Sequence, residues 1–171
     1  MSTLLQVAQK YTSNGLSVIP CRQKRPVIGS WSQYQEAPPT SDELEKMFAK
    51  GADQIAVICG KVSGNLEVID IDLKNDDTGG LWDNLWNDLL EYFNNHMPLL
   101  YVTTPSGGAH LYYRCSVIEG NQKLASKIKD GRPVVLIETR GEGGYVIAPP
   151  SAGYESRTDL SVIAEITPDQ R

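Results

Sequence analysis

The sequence predicts an α+β fold built on a mainly antiparallel or mixed sheet. Segments with helical and with strand periodicity are interspersed, without the regular alternation of a βαβ array. Short Gly-, Pro- and Ser-containing turns cut the strand-like runs into pieces of hairpin length. The 171 residues, 40% apolar and 22% charged, contain no repeat, low-complexity stretch or linker. The chain therefore reads as one domain over 1–171, or two tightly joined lobes, with a sizeable core.

Leu4, Leu5, Val7, Ala8 and Tyr11 recur at helical spacing, and Gly15 marks the stop of an opening helix. Residues 16–20 (LSVIP) form a short strand, and an irregular loop follows to Pro39. Thr40 and Glu43 have capping-box spacing, so a helix starts there with Leu44, Met47 and Phe48 inward, and Gly51 ends it. QIAVIC (54–59) and the run 66–73 are strands around the turn GKVSGN. Helical spacing returns over 79–94 with Leu81, Trp82, Leu85, Leu89, Leu90 and Phe93. Strands are expected near 99–104 and 109–115, joined by PSGG, then near 134–138 and 144–148, with a last one over 160–166.

No apolar run approaches the roughly 20 residues of a membrane span, and the N-terminus lacks a signal-peptide layout. Cys21, Cys59 and Cys115 have no CxxC spacing, so neither a disulfide scaffold nor a zinc site is expected, and the reading is cytoplasmic. The net charge of −5 argues against strong non-specific duplex binding, which needs many Lys and Arg contacts. Two basic stretches stand out locally. They are RQKR at 22–25, and Lys123, Lys127, Lys129 and Arg132, which read as a solvated loop.

The chemistry begins at LEVIDIDLK (66–74). On a strand, residues i and i+2 share a face, so Asp70 and Asp72 project together, roughly 6–7 Å apart. Like charges on a strand that favours burial are costly unless a cation pairs with them. Glu138 ends another apolar strand, with Arg140 two residues on; taken alone, the pair is equally an exposed surface ion pair. In TTPSGGAHLYY (103–113), the amides of Ser106, Gly107 and Gly108 could form an anion-binding concavity. His110 begins the next strand. Glu67 and Glu142 read as surface residues.

Three carboxylates, a Gly-rich turn, a histidine and nearby cations suit phosphoryl transfer on a nucleoside triphosphate, in which divalent metal bridges the attacking and leaving oxygens. Asp70, Asp72 and Glu138 would be the carboxylates that hold Mg²⁺ there. Ser106, His110 and the turn amides would hold the triphosphate. Rival motifs fail on spacing. DIDLKNDDTGGL has Asn75 and Leu81 where an EF-hand needs Gly and Glu, and no GxxxxGK[ST] occurs. The two histidines, His96 and His110, form no His-x-His pair. Gly29-Ser30 lies too far before Asp70 for the nucleotidyltransferase class that couples a Gly-Ser to an Asp-x-Asp.

Asp70-Ile-Asp72, Ser106-Gly-Gly-Ala-His110 and Glu138-Thr-Arg140-Gly-Glu-Gly-Gly-Tyr-Val-Ile-Ala-Pro-Pro-Ser151 together resemble the three motifs of the bifunctional DNA primase/polymerase domain of the archaeo-eukaryotic primase superfamily. Lys24-Arg25-Pro26 is similar to the family's Lys-x-Pro segment. The resemblance covers roughly 4–155. It implies an RRM-like catalytic palm fused to a smaller α/β unit. It also implies Asp70, Asp72 and Glu138 as ligands of two catalytic metals and His110 and Ser106 at the incoming nucleotide, with Arg140 and Lys24 as further phosphate contacts. The third acid in this family is more often Asp, and here it is Glu138.

The function so implied is making or extending primers from dNTPs or NTPs on single-stranded DNA, in plasmid, phage or mobile-element replication, with a replicative helicase as partner and no membrane. The alternatives are a non-catalytic single-strand-binding module stacking bases on Tyr101, Tyr112, Tyr113 and Tyr145, or a metal-dependent nuclease.

Overall fold

Thr3 accepts a hydrogen bond from the Gln6 amide while the Gln6 side chain accepts one from the Thr3 amide. This reciprocal capping box starts the first helix. The computed structural model, which describes residues 3–171, places α1 at Leu4–Ser13, α2 at Ser41–Phe48 and α3 at Leu81–Tyr92. The expected Thr40–Glu43 box caps α2. At α3 the N-cap residue is Gly80, and the helix start is satisfied from outside by Asp76, whose carboxylate accepts from the Leu81 amide at 2.8 Å. None of the described helices is long and apolar enough to cross a membrane.

The strands are β1 (Ser17–Arg22), β2 (Arg25–Pro26), β3 (Gln54–Ile58), β4 (Leu66–Ile71), β5 (Leu100–Thr103), β6 (Ala109–Cys115), β7 (Gln122–Lys129), β8 (Arg132–Arg140), β9 (Tyr145–Ala148), β10 (Glu155–Ser156) and β11 (Glu165–Ile166). They divide into two sheets, ordered β2-β1-β3-β9 and β10-β5-β6-β4-β8-β7. Every pairing is antiparallel except that of β11, which joins β6 in parallel at Arg114 and Cys115. The α+β class with antiparallel sheets is therefore as the sequence predicts.

Nearly every residue of β1 and β3 is buried, because the first sheet lies between α1 and α2 on one side and the second sheet on the other. One cluster joins Ala8, Tyr11, Leu44 and Met47 from the helices to Val18, Ile55 and Val146, and these to Leu66, Val68 and Tyr112 of the second sheet. A second cluster, with Ile71, Leu111 and Tyr113, takes Leu81, Trp82, Leu85, Trp86 and Leu89 of α3 on the opposite face. Strand alternation sorts β4 between the two: Leu66 and Val68 face the first cluster and Ile71 the second. Asp70 shares the face of Leu66 and Val68, at the end where the two sheets diverge.

Several expectations are corrected. The Lys-rich stretch around 123–132 is the hairpin β7–β8, turned by Asp130 and Gly131, both at positive φ. Asp-Gly is a strong two-residue hairpin signal, and the exposed polar side chains of β7 concealed it. Strand β4 ends at Ile71, and residues 73–75 form a 3₁₀ turn. The 160–166 run is a 3₁₀ turn at Leu160–Val162 followed by the short β11. Strand β9, after β8, crosses to the first sheet and pairs with β3.

Glu67, read as a surface residue, is completely buried. Arg171 donates to its carboxylate twice, at 2.6 and 3.0 Å, and the Tyr113 hydroxyl donates at 2.5 Å. A partner 104 residues away leaves no local trace in the sequence. Glu142 is exposed, as expected, and accepts from the Lys61 amide at 3.0 Å.

Candidate active site

Sheet register brings the site together. His110 on β6 and Glu138 on β8 are both directly opposite Asp70 on β4. Cross-strand partners share a face, so the three side chains form one row across three adjacent strands. The row opens into a cleft of about 470 Å³ between the diverging sheets. Lys24, Asp72, Ser106 and Arg140 line the same cleft, as do Thr104, Lys74, Asn121, Tyr145 and Tyr154.

Asp72 reaches the cleft by a different route from the one its spacing predicts. It lies just past the end of β4, where its amide donates to the Leu136 carbonyl at 2.8 Å before the chain turns away. One carboxylate oxygen is 2.6 Å from Lys74 Nζ. The other, Oδ1, is buried with no hydrogen-bond partner.

Cations lie beside the acids. Arg140 is 2.5 Å from Glu138 and 3.7 Å from Asp70, so the pair read as a possible surface contact lies at the centre of the cleft. His110 Nε2 is 3.5 Å from Asp70 Oδ1. Burial is the largest influence on Asp70 and opposes ionisation. His110, Arg140 and Lys24 together outweigh it and hold the carboxyl below the ordinary range. Burial, with the charge of Asp70 adding to it, pushes the Tyr154 phenol up to about 12, so its hydroxyl remains a donor at neutral pH. His110 is itself buried, and its Nδ1 has no partner among the described residues.

The TTPSGG turn joins β5 to β6 under tight constraint. The Gly107 amide donates to the Thr104 carbonyl at 3.0 Å, so it closes the turn instead of facing an anion. A side chain at Gly108 would run into the Ile71 carbonyl, one residue from Asp70. Gly107 and Gly108 thus shape the turn, while Ser106 and Thr104, their hydroxyls 3.5 Å apart, face the cleft. Across the cleft, Gln23 and Lys24 form the two-residue turn between β1 and β2, both at positive φ. Gln54 accepts from the Lys24 amide at 2.7 Å, and the Tyr145 hydroxyl donates to the Lys24 carbonyl at 3.1 Å. This backbone is costly for non-glycine residues, and these contacts hold it at the mouth of the cleft.

The donor set fits a hard divalent cation: three carboxylates face one space, and a buried oxygen of Asp72 lacks a partner. Among the described residues no three acid, His or Cys side chains are gathered closely enough to hold a metal ion as they stand. Base stacking on all four candidate tyrosines does not fit. Tyr112 and Tyr113 are buried, and Tyr101 packs on Trp82 at 5.2 Å. Lys74, Asn121 and Tyr154 were not read as site residues from the sequence. Only Lys74 carried a signal, by its place two residues after Asp72.

A search of curated proteins found no match. The sequence profile of a family described as "Bifunctional DNA primase/polymerase, N-terminal" matches residues 8–169.

Proposed function

The chain belongs to the bifunctional DNA primase/polymerase N-terminal family, and from that premise we propose a metal-dependent, template-directed nucleotidyltransferase acting on single-stranded DNA. The observation that carries this is the in-register row of His110, Asp70 and Glu138 facing a cation-lined cleft. In this reading the second sheet with α3 is an RRM-like palm, and the first sheet with α1 and α2 is the smaller α/β unit. The whole serves as one catalytic domain.

Asp70, Asp72 and Glu138 would hold Mg²⁺ or Mn²⁺. Bound there, the metal pair would lower the pKa of an attacking 3′-hydroxyl and neutralise charge on the triphosphate and departing pyrophosphate. The protein's own groups prepare that step. Asp70 is kept anionic by its neighbours and can ligate at neutral pH. Arg140 and Lys74 neutralise the acids in the free protein and can transfer to phosphate oxygens when nucleotide enters. Lys24 approaches from the opposite wall, while Ser106 and His110 hold the phosphates from the β5–β6 side. The 3′-hydroxyl would lose its proton to solvent, and its oxygen would bond to the α-phosphorus as the bond to pyrophosphate breaks.

A nuclease could use the same acids. The three cations in the cleft favour a triphosphate, which brings more negative charge than a single phosphodiester. The test is incorporation of labelled dNTPs and NTPs on a single-stranded template, with and without primer, in Mg²⁺ or Mn²⁺. Template-dependent extension supports the reading. Template degradation, or DNA binding without extension, contradicts it.

A further inference from the structure

The β7–β8 hairpin extends beyond what the fold needs for packing. No residue of its outer half, 126–135, belongs to either core cluster, and Leu124 and Ile128 are 55% and 71% exposed. Its register gives the two faces opposite characters. Ser126 opposite Val135 and Ile128 opposite Pro133 make the less charged face, which by alternation is turned away from Glu138. Lys127 opposite Val134 and Lys129 opposite Arg132 make a basic one. Strand β7 is also the free edge of its sheet, and Lys123 on it is opposite Glu138, in line with the acid row.

The basic face has an internal anion. Asp77, in the loop that follows the 3₁₀ turn after Asp72, pairs with Lys127 and lies 3.6 Å from Lys129. Its side chain is otherwise 67% exposed, so the contact fills no core and can be exchanged.

We propose that this hairpin holds single-stranded template DNA beside the cleft, and that Asp77 occupies the place a backbone phosphate takes when DNA binds. The proposal rests on the polymerase reading above. A chain of net charge −5 must bind a polyanion through a local concentration of cations, and Lys123, Lys127, Lys129 and Arg132 provide one. A single strand fits better than a duplex, because so short a run of cations on a chain of net charge −5 falls short of the many phosphate contacts that duplex binding rests on. The Asp77 carboxylate is a phosphate-like acceptor, held by the same ammonium groups that a strand would recruit.

The test is fluorescence anisotropy of a labelled single-stranded oligonucleotide from about 50 to 200 mM salt, with two variants that both leave the acid row intact. Lys127→Ala/Lys129→Ala/Arg132→Ala should weaken binding at least tenfold and reduce the salt slope by about 2. Asp77→Asn should tighten binding several-fold. Opposite signs are the signature, since a purely structural ion pair would weaken both or neither.

Unchanged affinity in the triple variant overturns the proposal, as does a loss of affinity in Asp77→Asn. Lysines on an edge strand also discourage edge-to-edge pairing. A change of oligomeric state at unchanged DNA affinity would assign the edge to that role, and a larger loss on duplex than on single strand would overturn the single-strand assignment. Failure of the polymerase reading is separable: it appears as no nucleotide incorporation by wild type, whatever the binding data show.

Discussion

Asp70 and Glu138 are directly opposite each other on adjacent antiparallel strands, and one guanidinium, that of Arg140, reaches both, at 3.7 and 2.5 Å. Two acids in that relation repel unless a cation lies between them. The free protein meets this need with arginine, and a catalytic metal meets it in the proposed working state.

Metal binding should therefore be visible without turnover. Asp72 Oδ1 is buried and unpartnered, so a divalent ion that it ligates binds the folded state and not the unfolded one. Mn²⁺ at 100 times its dissociation constant should stabilise wild type by about 2.7 kcal/mol. Thermal unfolding checks this: the midpoint of wild type should rise with Mn²⁺, and that of Asp72→Asn should rise much less.

The two turn glycines should respond differently to alanine. At Gly108 a methyl group meets the Ile71 carbonyl and lies 3.1 Å from Thr104 Oγ1. Gly108→Ala should cost about 1–3 kcal/mol and slow incorporation, because Ile71 must move beside Asp70. Gly107 has φ +80 but open space around it, so Gly107→Ala should cost only the backbone term of about 1–2 kcal/mol. Urea unfolding of both variants separates overlap from backbone strain.

Arg171 should matter for stability far more than its place outside the regular strands and helices suggests. Its loss leaves the Glu67 carboxylate fully buried with only the Tyr113 hydroxyl. Removing one partner of a buried pair costs about 3–5 kcal/mol. Arg171→Ala should show that loss in urea unfolding, and adding Glu67→Gln should restore part of it. Equal stability of wild type and Arg171→Ala would show that the pair is not formed.

Acid sensitivity should trace in part to the start of α3. The Thr78 hydroxyl first, then the Leu81 amide, hold the Asp76 carboxyl below its ordinary range. A folded-state value below the unfolded one, near 3.9, gives stability that is present above that pH and lost as pH falls through the folded value. Wild type should lose melting temperature below roughly pH 4, and Asp76→Asn should show a flatter acid limb.

The local parts of this fold were legible and the long-range parts were not. The Thr40–Glu43 cap, the apolar stripe of α3 and the β5–β6 hairpin follow from neighbours within a few residues. Asp70, His110 and Glu138 were each identifiable, but their meeting depends on β4 lying between β6 and β8, which no single segment states. Strand β9 was readable as a strand, yet its pairing with β3 and not β8 depends on Gly141 and Gly144. These let the crossing chain pass hard against the Glu119 carbonyl and the Asn121 side chain. Asp72 lines the cleft from just past β4 and not from the strand, since β4 stops one residue before it. Glu67 looked like a surface acid because Arg171, which neutralises it, lies far along the chain.

The central claim is that Asp70 is the pivot of a catalytic acid row. Single-turnover nucleotide incorporation by Asp70→Asn, beside wild type and with thermal unfolding as a fold control, tests it most directly. The expected result is a folded variant slowed by at least about 100-fold, the scale on which a preorganised charge contact acts in a transition state. A folded Asp70→Asn protein that incorporates nucleotide within a few-fold of the wild-type rate would contradict it.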